Sequence, residues 1–296
     1  MRPAAHIAAS DASHLALSVA RLAREASVEV SDVEIGELGA AREFLRPGQR
    51  IYVSHLPRQT WTRTFDLCAR LAREGFDPVP HVPVRLLRDR AEWASVLRHL
   101  RDSGVREPLL ISGDYAKAEG PYSSVSEALG TGEITANGFV RVSFAGHPEG
   151  HPAVPTMEIR DAQIAKWRQA SAMGLEVTFV TQFFFAANAF AQWASDLRAA
   201  GVEARLVAGL AGPVGLRKLV RLAARCGIGA SLHALTARAA ASFKLLADHD
   251  PASLLQDLAS EAGGVSGVPE GIHLFSFGGL LRTVSWLRQC EIRNPA

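Results

Sequence analysis

The ionisable side chains of this sequence gather where short apolar runs end. Glu29 stands inside one run, between Val28 and Val30. Ser54 and His55 close a second, His81 lies in a third between Pro80 and Pro83, and Gly113 and Asp114 end a fourth. His147, Glu149 and His151 fall in HPEGHP (147–152), and Gln182 falls in TQFFF (181–185). A carboxyl inside an apolar run is costly to ionise. Glu29 therefore either reaches solvent, pairs, or keeps its proton and can act as a general acid. His81 reads equally as a satisfied core histidine, and Asp114 as the cap of a turn. Three ionisable groups in HPEGHP could suggest metal ligands, but the prolines forbid the helical face that would converge them, which favours a rigid loop. No lysine ends an apolar run, which argues against Schiff-base chemistry, and no strained-elbow motif supports a serine triad. The glycine-rich stretches AGLAGPVG (208–215) and FGG (277–279) suit either a phosphate group or tight turns.

Positioning such groups requires a scaffold, and the chain predicts one. Eight β-branched or aliphatic runs, at 28–30, 51–54, 79–82, 109–112, 140–145, 177–181, 205–208 and 272–276, have the length of buried strands. Helical patterns alternate with them: Trp93, Val96, Leu97 and Leu100 recur at i, i+3, i+4 and i+7, and Gly75 and Gly104 follow two such stretches as C-terminal caps. Eight strand–helix units predict an α/β fold, a closed (β/α)8 TIM barrel whose site lies at the C-terminal ends of the strands. No GxGxxG turn points to an open dinucleotide-binding sheet. Two regions exceed the minimal barrel, a helical N-terminal extension over 1–26 and a helical insertion over 231–262 between the seventh and eighth strands. With no linker between halves, residues 1–296 read as one domain.

Composition narrows the function classes. Of 296 residues 48% are hydrophobic and 21% charged, which excludes a disordered chain. The 32 basic and 30 acidic residues leave a net charge of +2, which argues against nucleic acid or an acidic membrane as partner. The three cysteines, Cys68, Cys226 and Cys290, form no CxxC, so a disulfide framework or cysteine zinc site is not expected and a cytoplasmic protein is. No stretch reaches the roughly 18 unbroken apolar residues of a membrane span. Nothing in the composition opposes a homo-oligomer.

Taken in order, a strand with a central Glu, PHVP (80–83), GD (113–114), HPEGHP and TQFFF resemble the methylenetetrahydrofolate reductase family, over nearly the whole chain. The resemblance implies a barrel holding FAD that reduces 5,10-methylenetetrahydrofolate to 5-methyltetrahydrofolate, or runs the reverse, with NADH or NADPH as co-substrate. It implies Glu29, Asp114 and Gln182 as catalytic residues, Glu29 as general acid kept protonated by burial. It implies Ser54, His81, Gly113, Asp114, His147, His151, Asp161 and Arg168 around the flavin, no metal, and Asp114, Gln182 and Phe277 against the folate. The chain departs from the family pattern in several places. VEVSDV (28–33) replaces FEFFPP, His147 replaces a tyrosine, Ser112 and Gly279 replace arginines, and the helix after HPEGHP offers Arg168 at best for a lysine. Thinner cationic support predicts a looser hold on the FAD diphosphate. The competing classes are a tetrahydrofolate-dependent methyltransferase and a non-catalytic folate-binding barrel.

Overall fold

In the computed structural model the described residues are 4–32, 34–113, 115–152, 154–226, 228, 248–260 and 269–293, with side chains described from residue 13 onward. Eight parallel strands close into a barrel: β1 (Ser27–Val30), β2 (Arg50–Val53), β3 (Asp77–Pro83), β4 (Leu109–Ile111), β5 (Arg141–Gly146), β6 (Glu176–Phe183), β7 (Arg205–Ala211) and β10 (Gly271–Phe275). β1 pairs with β2 on one side (Val28↔Ile51) and with β10 on the other (Ser27↔His273), so the sheet has no edge. All eight expected runs are strands. Two short strands not expected, β8 (Val214–Gly215) and β9 (Asp248–His249), form an antiparallel pair beyond the barrel.

The helices follow from the apolar spacing. α1 (Ala4–Arg24) precedes the barrel, and α2 (Leu38–Ala41), α3 (Trp61–Arg73) and α4 (Arg90–Asp102) follow β1, β2 and β3. α5 (Val125–Gly130) and α6 (Glu133–Ala136) follow β4. α7 (Thr156–Ala172), α8 (Ala187–Ala199), α9 (Leu216–Cys226), α10 (Ala252–Ser260) and α11 (Leu280–Arg293) complete the ring. α4 buries Trp93, Val96, Leu97 and Leu100, the residues its spacing selects. The Asp89 side chain accepts from the Glu92 N–H at its start. α1 packs on α10 and α11, burying Val19, Leu22 and Ala23. Of the insertion expected at 231–262, only residues 248–260 are described: β9 and α10.

The barrel interior is layered. At the N-terminal end of the strands Arg50 lies 3.1 Å from Glu107 and 3.8 Å from Asp77, and the Ser143 hydroxyl donates to Glu107. Above that ionic floor Tyr52, Val79, Leu109, Val180 and Val207 fill the middle. The upper end is polar, and the candidate site lies there.

The glycine stretches resolve as close backbone packing. A Cβ on Gly209 would run into the Thr181 carbonyl oxygen, and one on Gly278 into that of Pro213. These glycines let the ends of β6, β7 and β10 pack closely together.

Candidate active site

Glu29, in the middle of β1, turns its carboxyl into the barrel. Its Oε1 accepts from the Ser54 hydroxyl at 2.6 Å, just past β2. Its Oε2 lies 3.6 Å from His81 Nε2 on β3 and 3.5 Å from His273 Nε2 on β10. His273 is almost wholly buried, and its Nδ1 sits 3.0 Å from the Ser27 hydroxyl. Four strands thus converge on one carboxyl. Tyr52 braces both imidazoles from below, its ring edge-on to His81 and His273.

This geometry overturns the expectation that burial keeps Glu29 protonated. Burial does push its pKa up. The charge of His81, the hydrogen bond and charge of His273, and the Ser54 hydroxyl outweigh burial and hold it at about 2. His81 in turn falls below the usual imidazole range, chiefly because it is buried and secondarily because it faces His273, while Glu29 pulls the other way. In the ligand-free site the carboxyl is ionised between two histidines.

Beside this centre stands His55, whose Nδ1 lies 2.9 Å from Thr64 Oγ1 and whose ring packs 4.3 Å from Trp61. His147 follows β5, its ring edge-on to His151 at 5.8 Å. Burial, then His81, hold His55 at about 4, and burial, then Lys166 and His151, hold His147 at about 4. The Nε2 of His55 and the Nδ1 of His147 are buried with no hydrogen-bond partner. Such atoms in one barrel mouth are what a polar ligand would satisfy.

Lys166 is the cation that sequence reasoning missed. Asp161 and Arg168, expected at the flavin, are exposed on α7. Helical phase explains the difference, because Lys166 shares the inward face with the buried Ile159, Gln163 and Ala170. Its ammonium lies 5.6 Å from the centre of the Phe144 ring, and burial lowers its pKa to about 8. Among the described residues no carboxylate pairs with it.

Gln182 sits at a β-bulge where the register of β6 against β7 shifts, and its Oε1 accepts from the Phe183 N–H at 3.1 Å. Phe277 follows β10 and stacks on Phe275 at 5.4 Å and 17°, with Phe183 edge-on to both. Phe275 meets His273 edge-on at 4.8 Å, so an aromatic wall leads from the Glu29 centre outward. Gly113 has φ +86°, while Asp114 lies outside the described residues. At Gly279, where the resemblance leads one to expect an arginine, a Cβ would meet the Glu37 carboxyl at 3.0 Å; Glu37 accepts from the Leu281 N–H and caps α11. Among the described residues no group of three or more His, Cys, Asp or Glu is set to hold a metal, and no helix is long and apolar enough to cross a membrane.

The buried histidines give a pH expectation. An unfolded imidazole titrates near 6.5, whereas His55, His147 and His249 resist protonation until about 4. The unfolded chain therefore binds more protons in that window, and stability falls as pH drops from 6.5 towards 4. Thermal melting at pH 7.5 and pH 5 should differ by about 5 °C or more. Equal melting temperatures would mean that these imidazoles titrate freely.

Methylenetetrahydrofolate reductase is the family whose sequence model matches this chain, over residues 60–238. A solved structure with the same fold is an uncharacterized protein from Clostridium thermocellum that binds two copies of 5-methyl-5,6,7,8-tetrahydrofolic acid. It superposes with a TM-score of 0.60 at 12% identity, over 91% of this chain and 96% of that one. Glu29 and His273 both lie outside the matched stretch, so their pairing is visible only in three dimensions.

Proposed function

The chain belongs to the methylenetetrahydrofolate reductase family, and on that premise we propose that it interconverts 5,10-methylenetetrahydrofolate and 5-methyltetrahydrofolate, with NADH or NADPH as co-substrate and FAD as cofactor. The observation that carries this reading is the Glu29 carboxylate held between His81 and His273 at the open, polar end of the barrel. A methylene bridge accepts hydride only after one of its C–N bonds opens, and opening needs a proton on the departing nitrogen. Glu29 is the group to hold that proton at the moment of transfer. It stands ionised while solvent reaches it. A pterin closing over the rim completes its desolvation, which favours the neutral carboxyl, and either imidazole lies within reach to pass the proton across. The Gln182 amide offers a donor and an acceptor to the pterin, and Asp114 would accept from its N–H groups. Phe277 would lie along the aromatic part of the folate.

The donor set at the mouth fits FAD. Lys166 is a half-buried cation without a carboxylate partner among the described residues, which suits a diphosphate, and His147 offers an unsatisfied Nδ1. Ser54, His81, Gly113, His147, His151 and Lys166 would hold the cofactor, with Lys166 in the role expected of Arg168. When bound, it supplies a reversible hydride acceptor and donor. Oxidation of NADH or NADPH by FAD-supplemented protein should depend on added 5,10-methylenetetrahydrofolate. Tight folate binding with no such turnover would reduce the protein to a folate-binding barrel.

A further inference from the structure

The outer wall of the barrel carries a cavity between α3 and α4 that the chemistry above leaves unused. It measures about 660 Å³, within the usual range for a small-molecule site. Trp61, Phe65 and His99 line it. The Phe65 ring stands 5.1 Å from the His99 ring at 11° and 6.4 Å from the Trp61 ring at 15°, so the three planes are nearly parallel. His99 Nδ1 donates to the Ser95 carbonyl oxygen at 2.7 Å, one turn back on α4, which holds the imidazole in place before any ligand arrives. Leu67 and Leu71 of α3 and Leu97 and Leu100 of α4 are buried and do the packing of these helices. Trp61 and Phe65 are only half-buried and His99 is exposed, so the ring stack is left open to solvent.

The charge beside these rings is acidic. Asp66, Asp89 and Glu92 line the cavity against one arginine, Arg88. Arg88 donates to both oxygens of Glu92, at 3.0 Å and 2.8 Å, so that pair satisfies itself. The Oδ1 of Asp89 accepts from the Glu92 N–H and caps α4. Among the described residues neither Asp66 nor Asp89 has an ion-pair partner. We propose that this cavity binds a planar heteroaromatic cation, stacked on Phe65 with its charge facing Asp66 and Asp89. Near-parallel rings suit a flat ligand, whereas a rounded ammonium calls for rings set around it at angles. Aromatic faces attract a cation through their quadrupole, and the two carboxylates make the same demand. The same carboxylates repel phosphates and carboxylates, which separates this cavity from any nucleotide or folate site. It lies on the outer faces of α3 and α4, with Trp61 packed 4.3 Å from His55 at the mouth, and it does not depend on the folate reading.

Calorimetric titration of the whole protein with 1-methylquinolinium, in excess FAD so that the mouth is filled, tests this. Three further probes each lack one feature: quinoline is flat and neutral at about pH 8, quinoline-2-carboxylate is flat and anionic, and tetramethylammonium is cationic and not flat. The flat cation should bind about 10-fold or more tightly than quinoline at low ionic strength, and the other two more weakly still. Its advantage over quinoline should shrink in about 0.5 M salt, a readout that needs no variant. Asp66→Asn, at an exposed position, should cut that advantage about 3-fold or more, and Phe65→Leu should weaken both flat ligands about 10-fold. Equal affinity for 1-methylquinolinium and quinoline, no binding of either, tetramethylammonium binding as tightly as the flat cation, or binding that neither variant weakens overturns the proposal. Each of these outcomes leaves the folate reading standing.

Discussion

Glu29→Gln is expected to slow the folate half of the reaction by about 10²–10⁴, the usual cost of losing a general acid. Reduction by the nicotinamide should stay within a few-fold of the unaltered rate. The asymmetry follows from the chemistry, because only the opening of the methylene bridge needs a proton at a departing nitrogen. It follows also from the structure: glutamine keeps the shape of Glu29 and can still accept from Ser54, but it cannot take a proton from His81 or His273, which lie 3.6 Å and 3.5 Å from the carboxylate. Rapid-mixing rates of the two half-reactions check this. Equal loss in both would assign Glu29 to shaping the cofactor pocket instead.

Lys166→Met is expected to act in opposite directions on stability and on binding. The ammonium is half-buried, partial desolvation draws its pKa down to about 8, and no carboxylate offsets it among the described residues. An apolar side chain of similar length removes the desolvation cost and keeps the packing on Phe144, so the ligand-free protein should melt a few degrees higher. The same change deletes a charge-assisted contact to phosphate. FAD affinity should drop about 10–100-fold, as expected for a hydrogen bond to a charged group. Arg168→Ala, on the exposed side of the same helix, should change FAD affinity less than about 2-fold. A Lys166 variant that melts lower and binds FAD unchanged would make the lysine a structural element.

The barrel was legible in the sequence because its signals are local. Runs such as 51–54 and 177–181 carry the β-branched and aromatic residues of buried strands, and the apolar spacing of α9 gives its limits, Leu216–Cys226. The rim residues were legible by motif and strand end. The pairing that sets the chemistry was not. His273 lies inside an apolar run that reads as pure core. Its inward direction emerges only from the alternation with Gly271 and Phe275, and its partner only from the closure of β10 onto β1. The charge state of Glu29 is illegible for the same reason: burial is visible in one run, whereas the histidines opposing it come from strands far away in sequence. Lys166 is hidden behind Arg168 because both are single cations on one helix, and only the phase shared with Ile159, Gln163 and Ala170 turns Lys166 inward. The glycine stretches left phosphate binding and tight packing equally open until the carbonyl oxygens of Thr181 and Pro213 were located.

The proposed reaction requires one barrel mouth to bring a folate, a flavin and the Glu29 proton site together for hydride transfer. Anaerobic addition of 5-methyltetrahydrofolate to the FAD-loaded protein, followed at the flavin absorbance band, tests it most directly. The expected result is bleaching of the band as the folate is oxidised, with the rate falling about 10²–10⁴-fold in Glu29→Gln. A band that stays fully oxidised while 5-methyltetrahydrofolate binds would mean that the folate and the flavin do not exchange hydride in this barrel.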